Sequence, residues 1–146
     1  MMTQTEKAIN NFRGGLNCAQ AVITAYAGEL KIEDHFAQSV ACGFGGGMGR
    51  LQETCGAATG SFMVMGIYNS SIYSDNKDRK DKTYAMVREF SNRFVERHGT
   101  LKCRELMNCD LNTPEGQQYV KDNNLHETIC EKCIADSIRI IGEIMH

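Results

Sequence analysis

The sequence predicts an all-α fold, a single compact, bundle-like domain of about six or seven helices spanning residues 1–146. Three observations carry this. Apolar residues recur at helical spacing along most of the chain. The only proline, Pro114, stands where a helix would start. No stretch alternates apolar and polar residues as a half-buried strand does. Hydrophobic residues make up 42% of the chain, an ordinary share that suffices for a buried core.

The elements follow in order. Thr5 to Phe12 form a short helix stopped by Gly14 and Gly15. In "NCAQAVITAYAGEL", Cys18, Ala21, Val22, Ala25, Tyr26 and Leu30 share one stripe. Asn17 is its N-cap, and Gln20 completes a capping box. "EDHFAQSVACGF" is a third helix, ended by the glycine run Gly43–Gly49. Cys42, on the apolar side of that helix, reads as a small buried hydrophobe. Thr54 caps the next helix, which runs to about Tyr68, with Cys55 as its first residue. Free N–H groups and the positive end of the helix dipole then favour the Cys55 thiolate. Gly56 and Gly60 each cost about 1 kcal/mol against alanine in a helix. They therefore imply close approach by another helix, a ligand or a cluster.

"DRKDKTYAMVREFSNRFVERHG" is the strongest helix, with Tyr84, Val87, Ser91 and Phe94 on one face, reinforced by Phe90 and Val95, and Gly99 as its stop. Thr100 caps "TLKCRELMNC", and Thr113 caps a helix whose first residue is Pro114. Thr128 and Glu131 stand at capping-box spacing before a last helix striped by Ile134, Ile138, Ile141 and Met145.

Composition excludes several classes. A net charge of −2 argues against a general nucleic-acid or membrane-surface binder, and "NKDRKDK" reads as a solvated helix face. "MMTQTEKAINNF" lacks the apolar run of a signal peptide, and "SFMVMGIY" is too short to span a bilayer. The expected compartment is the cytoplasm. "GFGGGMGR" fits neither the dinucleotide fingerprint nor a P-loop, so its glycines should bring backbone close to the Cys55 region. No HExxH or GxSxG motif is present.

The chemistry lies in seven cysteines: Cys18, Cys42, Cys55, Cys103, Cys109, Cys130 and Cys133. In a reducing compartment they point to redox thiols or metal ligands rather than to a static disulfide framework. Cys18, Cys55, Cys103 and Cys130 each fall one to three residues after Asn17, Thr54, Thr100 and Thr128, in the first turn of an expected helix. Such a pattern fits a site built from converging helix N-termini. "CEKC" is a CxxC pair without thioredoxin-like βαβ context or a haem-attachment histidine. His126 reads as an ordinary surface residue that would share a face with Cys130 if the last helix began earlier.

The order "NCAQAV", "GGGMGRLQETCGAATG", "CREL" and "IC" resembles the redox-active family named for its C-GCAxxG-C-C cysteine pattern, over about Phe12 to Ile140. Cys55, Gly56, Ala57 and Gly60 match its CGAxxG signature, and its other cysteines fall on Cys18, Cys103 and Cys130. The resemblance implies a small helical bacterial or archaeal protein with a redox role. Some family members look like selenoproteins. The domain is also similar to part of the split-Soret cytochromes, where matching cysteines are associated with an iron–sulfur centre.

Three readings follow. The leading one is a thiol oxidoreductase in which Cys55 is the reactive thiolate, and Cys18, Cys103 or Cys130 resolves the disulfide. Its partner would be a redox protein or a small thiol. The second is an electron-transfer or sensory module whose Cys18, Cys55, Cys103 and Cys130 ligate an iron–sulfur cluster or zinc. The third has structural cysteines in a binding partner of a transporter or enzyme. A homo-oligomer is compatible with all three.

Overall fold

The structure, a computed structural model, describes residues 1–145. Among them there are helices and turns but no strand. α1 (Gln4–Arg13) opens on Thr3, whose hydroxyl accepts from the Glu6 N–H while the Glu6 carboxylate reaches back to the Thr3 N–H. α2 (Cys18–Ala25) opens on Asn17 with the expected box through Gln20, both bonds 2.9 Å long. The stripe expected to run on to Leu30 breaks at Tyr26. Its N–H turns back to the Ile23 carbonyl, tightening the last turn, and a short α3 (Ala27–Leu30) follows.

α4 (Asp34–Ala41) passes into a 3₁₀ turn, Cys42–Phe44. That tightening turns Cys42 off the apolar face, so it is exposed rather than buried as its pattern suggested. The glycine run then makes a left-handed turn. Gly46, Gly47, Met48, Gly49 and Arg50 have φ of 63°, 67°, 67°, 58° and 59°. The turn is closed by bonds from the Gln52 and Glu53 N–H groups to the Gly46 and Gly47 carbonyls, each 3.0 Å. A Cβ on Gly47 would lie 2.8 Å from the Cys103 Cβ and 2.7 Å from the Gln52 Cα. The glycines thus press backbone against the segment leading to Cys55 and against Cys103.

α5 (Gly56–Ile72) is the central helix, and α2 packs closely on it. A Cβ on Gly60 would lie 2.7 Å from the Ala19 carbonyl oxygen, and one on Gly56 would lie 3.0 Å from the Cys18 Cβ. The close approach that the two glycines imply is that of another helix. α6 (Asn76–His98) ends at Gly99 in the left-handed conformation. Its buried face centres on Phe90 and Phe94, whose rings lie 5.9 Å apart, with Phe62 of α5 edge-on to Phe90. Tyr84 and Val95 are exposed, contrary to the expected face. At 100° per residue, Tyr84 lies about 120° round from Phe90 and Val95 about 100° round from Phe94.

α7 (Cys103–Met107) is capped by Lys102, not Thr100. α8 (Pro114–Asp122) starts as expected, with the Thr113 hydroxyl accepting from the Gly116 N–H. α9 (Glu131–Ile144) buries Ile134, Ile138 and Ile141 against α1, α5 and α6. The segment before α9 is not a capped start. His126–Cys130 forms a π-helical turn that runs straight into α9, with the Glu131 N–H bonding the His126 carbonyl five residues back. Thr128 therefore caps nothing, and its hydroxyl donates to the Asn124 carbonyl.

Candidate functional site

A cavity of about 850 Å³ opens between the start of α2, the glycine turn, α7 and the π turn. Cys18, Cys42, Cys55, Cys103, Cys130 and Cys133 all line it. Only Cys109 of the seven lies elsewhere, packed beside Met107 in a smaller apolar cluster. The four cysteines singled out in the sequence thus surround one space, although they span most of the chain.

Each arrives by a different route. Cys18 is the first residue of α2, as the Asn17 cap requires. Cys55 is itself the N-cap of α5, one position earlier than expected, because Thr54 is drawn into an isolated antiparallel bridge with Lys102. That bridge sets Cys55 beside Cys103: the Cys55 N–H bonds the Leu101 carbonyl and the Cys103 N–H bonds the Glu53 carbonyl, each at 2.7 Å. Cys130 is not at a free helix start at all, since the π turn continues the helix upstream of it. The expectation of four converging N-termini therefore holds for Cys18 and Cys103 at first-residue positions, shifts by one for Cys55, and fails for Cys130.

The thiols are paired. Cys18 and Cys130 lie close enough to shift each other's ionisation in opposite directions, and so do Cys133 and Cys55, while the Cys130 thiol donates to the Met107 sulfur at 3.8 Å. The neighbouring Cys18 thiol, joined by the His126 imidazole, holds the Cys130 thiol down to about 6 against the resistance of burial. His126 is raised in turn, chiefly by Cys130. Cys55 is also lowered, first by Cys133 and then by the Ala57 and Ala58 N–H groups that face its sulfur at the start of α5. Their partners shift oppositely. Cys18 is pushed well up by Cys130, and Cys133 is pushed up by Cys55. Burial pushes Cys103 up to about 12, so it stays a thiol.

Two residues of the site lay outside the sequence-level set. Cys133 was visible only as the second half of "CEKC". His126 was visible only through its four-residue spacing to Cys130, and it reaches the sulfur because the helix begins earlier than Thr128 suggested. At the rim, Arg13 grips Glu131 through two bonds of 3.0 and 2.8 Å, tying the end of α1 to the start of α9. His126→Asn should move the Cys130 titration upward by about 1–2 pH units, the usual effect of losing a nearby cation. The thiolate absorbance near 240 nm, followed against pH, reads this directly. An unmoved midpoint would separate His126 from the thiolate.

The metal reading can be set against this geometry. Among the described residues, no group of three or more His, Cys, Asp or Glu side chains is arranged to hold a metal ion.

Among known proteins, a family model described as "Putative redox-active protein (C_GCAxxG_C_C)" matches residues 16–144. No curated protein and no solved structure matches the chain. Among the described residues, no helix is long and apolar enough to cross a membrane.

Proposed function

The chain belongs to this C_GCAxxG_C_C family of redox-active proteins, and from that premise we propose that it is a single-domain thiol–disulfide exchange protein working from the cysteine-lined cavity. The observation that carries this reading is the Cys18–Cys130 contact beside His126. It supplies an acidic nucleophile, a resolving thiol already in place, and a proton-bearing group to hold the thiolate.

The chemistry balances with a low-molecular-weight disulfide as oxidant. The Cys130 thiolate attacks one sulfur of that disulfide. A Cys130–S bond forms, the external S–S bond breaks, and one thiolate leaves with a proton from solvent. Cys18 then loses its proton and attacks the Cys130 sulfur, closing Cys18–Cys130 and releasing the second external thiol. Two electrons pass from the cysteine pair to the oxidant. The reverse sequence reduces a disulfide substrate. Cys55 belongs to the same thiol set as a second lowered thiol, and Cys103 stands in the cavity wall as a protonated one.

The test is anaerobic purification, metal analysis, and titration of the reduced protein with glutathione disulfide followed by peptide mapping. The expected result is a metal-free protein whose first disulfide formed is Cys18–Cys130. Stoichiometric iron and sulfide, or zinc, with the thiols blocked until the metal is removed, would assign the metal-binding reading instead.

A further inference from the structure

Two thiol pairs share one helix, and Cys55 with Cys133 is the second of them. Cys130 and Cys133 are three residues apart and point from the same side of the π turn and α9, one to Cys18 and the other to Cys55. The pairs differ in depth. Cys133 is 1% exposed and Cys55 6%, whereas Cys18 and Cys130 are half-buried at the cavity. Cys55 also lies close enough to Cys130 and Cys18 to feel their charge.

We infer that Cys55 and Cys133 form a second, deeper dithiol couple that is oxidised through the Cys18–Cys130 disulfide rather than by an external disulfide, making Cys133 a redox residue of the protein. This rests on the exchange reading above and extends it from one disulfide to two. The internal step needs no further oxidant. The Cys55 thiolate attacks the Cys130 sulfur of the Cys18–Cys130 disulfide, forming Cys55–Cys130 and releasing Cys18 as a thiolate. Cys133 then attacks the Cys55 sulfur, closing Cys55–Cys133 and expelling Cys130 as a thiolate. The Cys133 proton goes to the Cys18 thiolate. Cys18 and Cys130 are back in their reduced state, and two electrons have moved outward from the deep pair. The sense of transfer suits the groups: the Ala57 and Ala58 N–H groups support the attacking Cys55 thiolate, and in the closing step the thiol expelled is the more acidic one, Cys130. A second equivalent of external disulfide then oxidises the outer pair again, so the full capacity is four electrons.

The experiment is a time course of the reduced, full-length protein with glutathione disulfide, quenched in acid and mapped by mass spectrometry, in wild type, Cys130→Ser and Cys133→Ser. In wild type, Cys18–Cys130 should appear before Cys55–Cys133, and two disulfides should form at excess oxidant. In Cys130→Ser, formation of Cys55–Cys133 should slow at least tenfold, and in Cys133→Ser the exchange should stop at Cys18–Cys130 in equilibrium with the unresolved Cys55–Cys130. The order of appearance in wild type stands even if a variant fails to fold. Cys55–Cys133 forming first, or equally fast in Cys130→Ser, would overturn the relay. Cys18–Cys130 forming alone in wild type would overturn the relay and leave the exchange reading intact, whereas neither disulfide forming would overturn both.

Discussion

Cys130→Ser removes the thiol that alkylates fastest below neutral pH. With its thiol held at about 6, Cys130 is mostly thiolate at pH 6.5. A free cysteine near 8.5 is only about 1% ionised there. The ionised fraction thus favours Cys130 by about 75-fold. A weaker base is a weaker nucleophile, and a Brønsted slope of 0.4–0.5 returns about tenfold or slightly more of that gain. The net advantage over a free thiol is about fivefold, and the shape of the pH profile is more diagnostic than the rate. In wild type one phase of the iodoacetamide reaction should climb through a midpoint near 6 and level off by about pH 7. In Cys130→Ser that phase should vanish, leaving a rate that keeps rising towards pH 8.5. Cys42→Ser should leave it intact, because Cys42 is exposed and Cys130 keeps Cys18 and His126 as its neighbours. If the low-pH phase survives Cys130→Ser and disappears in Cys55→Ser, the nucleophile is Cys55.

Gly60→Ala should destabilise the protein by about 1–3 kcal/mol, the usual cost of overpacking. The sign is informative, because alanine in a helix interior is otherwise worth about 1 kcal/mol over glycine. The clash prevails because the added Cβ would meet backbone, the Ala19 oxygen at 2.7 Å and Cα at 3.0 Å, which no rotamer change can relieve. Gly66, six residues further along α5, has nothing within 4 Å of an added Cβ. Gly66→Ala should therefore raise stability by up to about 1 kcal/mol. Urea denaturation of the pair provides the measurement. Two shifts of the same sign would show that the α2–α5 contact does not control the difference. Since Cys18 stands on α2 beside Ala19, Gly60→Ala should also weaken the Cys18–Cys130 pairing and slow disulfide closure.

Much of this was legible in the sequence where local chemistry decides. Asn17 with Gln20 and Thr113 with Pro114 start helices as their side chains demand, and Gly99 stops one. The gathering of Cys18, Cys55, Cys103 and Cys130 was legible as a pattern, though for a partly mistaken reason. Thr54, Thr100 and Thr128 all look like caps, yet none serves as one. Thr54 is claimed by a bridge to Lys102, a residue 48 positions away. Thr128 sits inside a π turn, which no hydrophobic period announces. Cys42 misled because the switch from α to 3₁₀ geometry falls at that residue. The pairing of Cys18 with Cys130 and of Cys55 with Cys133 is a tertiary fact. Spacing within "CEKC" would have joined the two cysteines that the fold instead sends to different partners.

The left-handed turn at Gly46–Arg50 reverses the ordinary scale of residue preference beside the cavity. A left-handed helical turn of L-residues costs about 1–2 kcal/mol at each position that carries a Cβ, and Met48 and Arg50 bear that cost. Alanine, the best residue in any other helical turn of this protein, is among the worst here, and asparagine or aspartate becomes the more tolerable exchange. Chirality, more than size or polarity, governs which sequences can build this wall of the cavity.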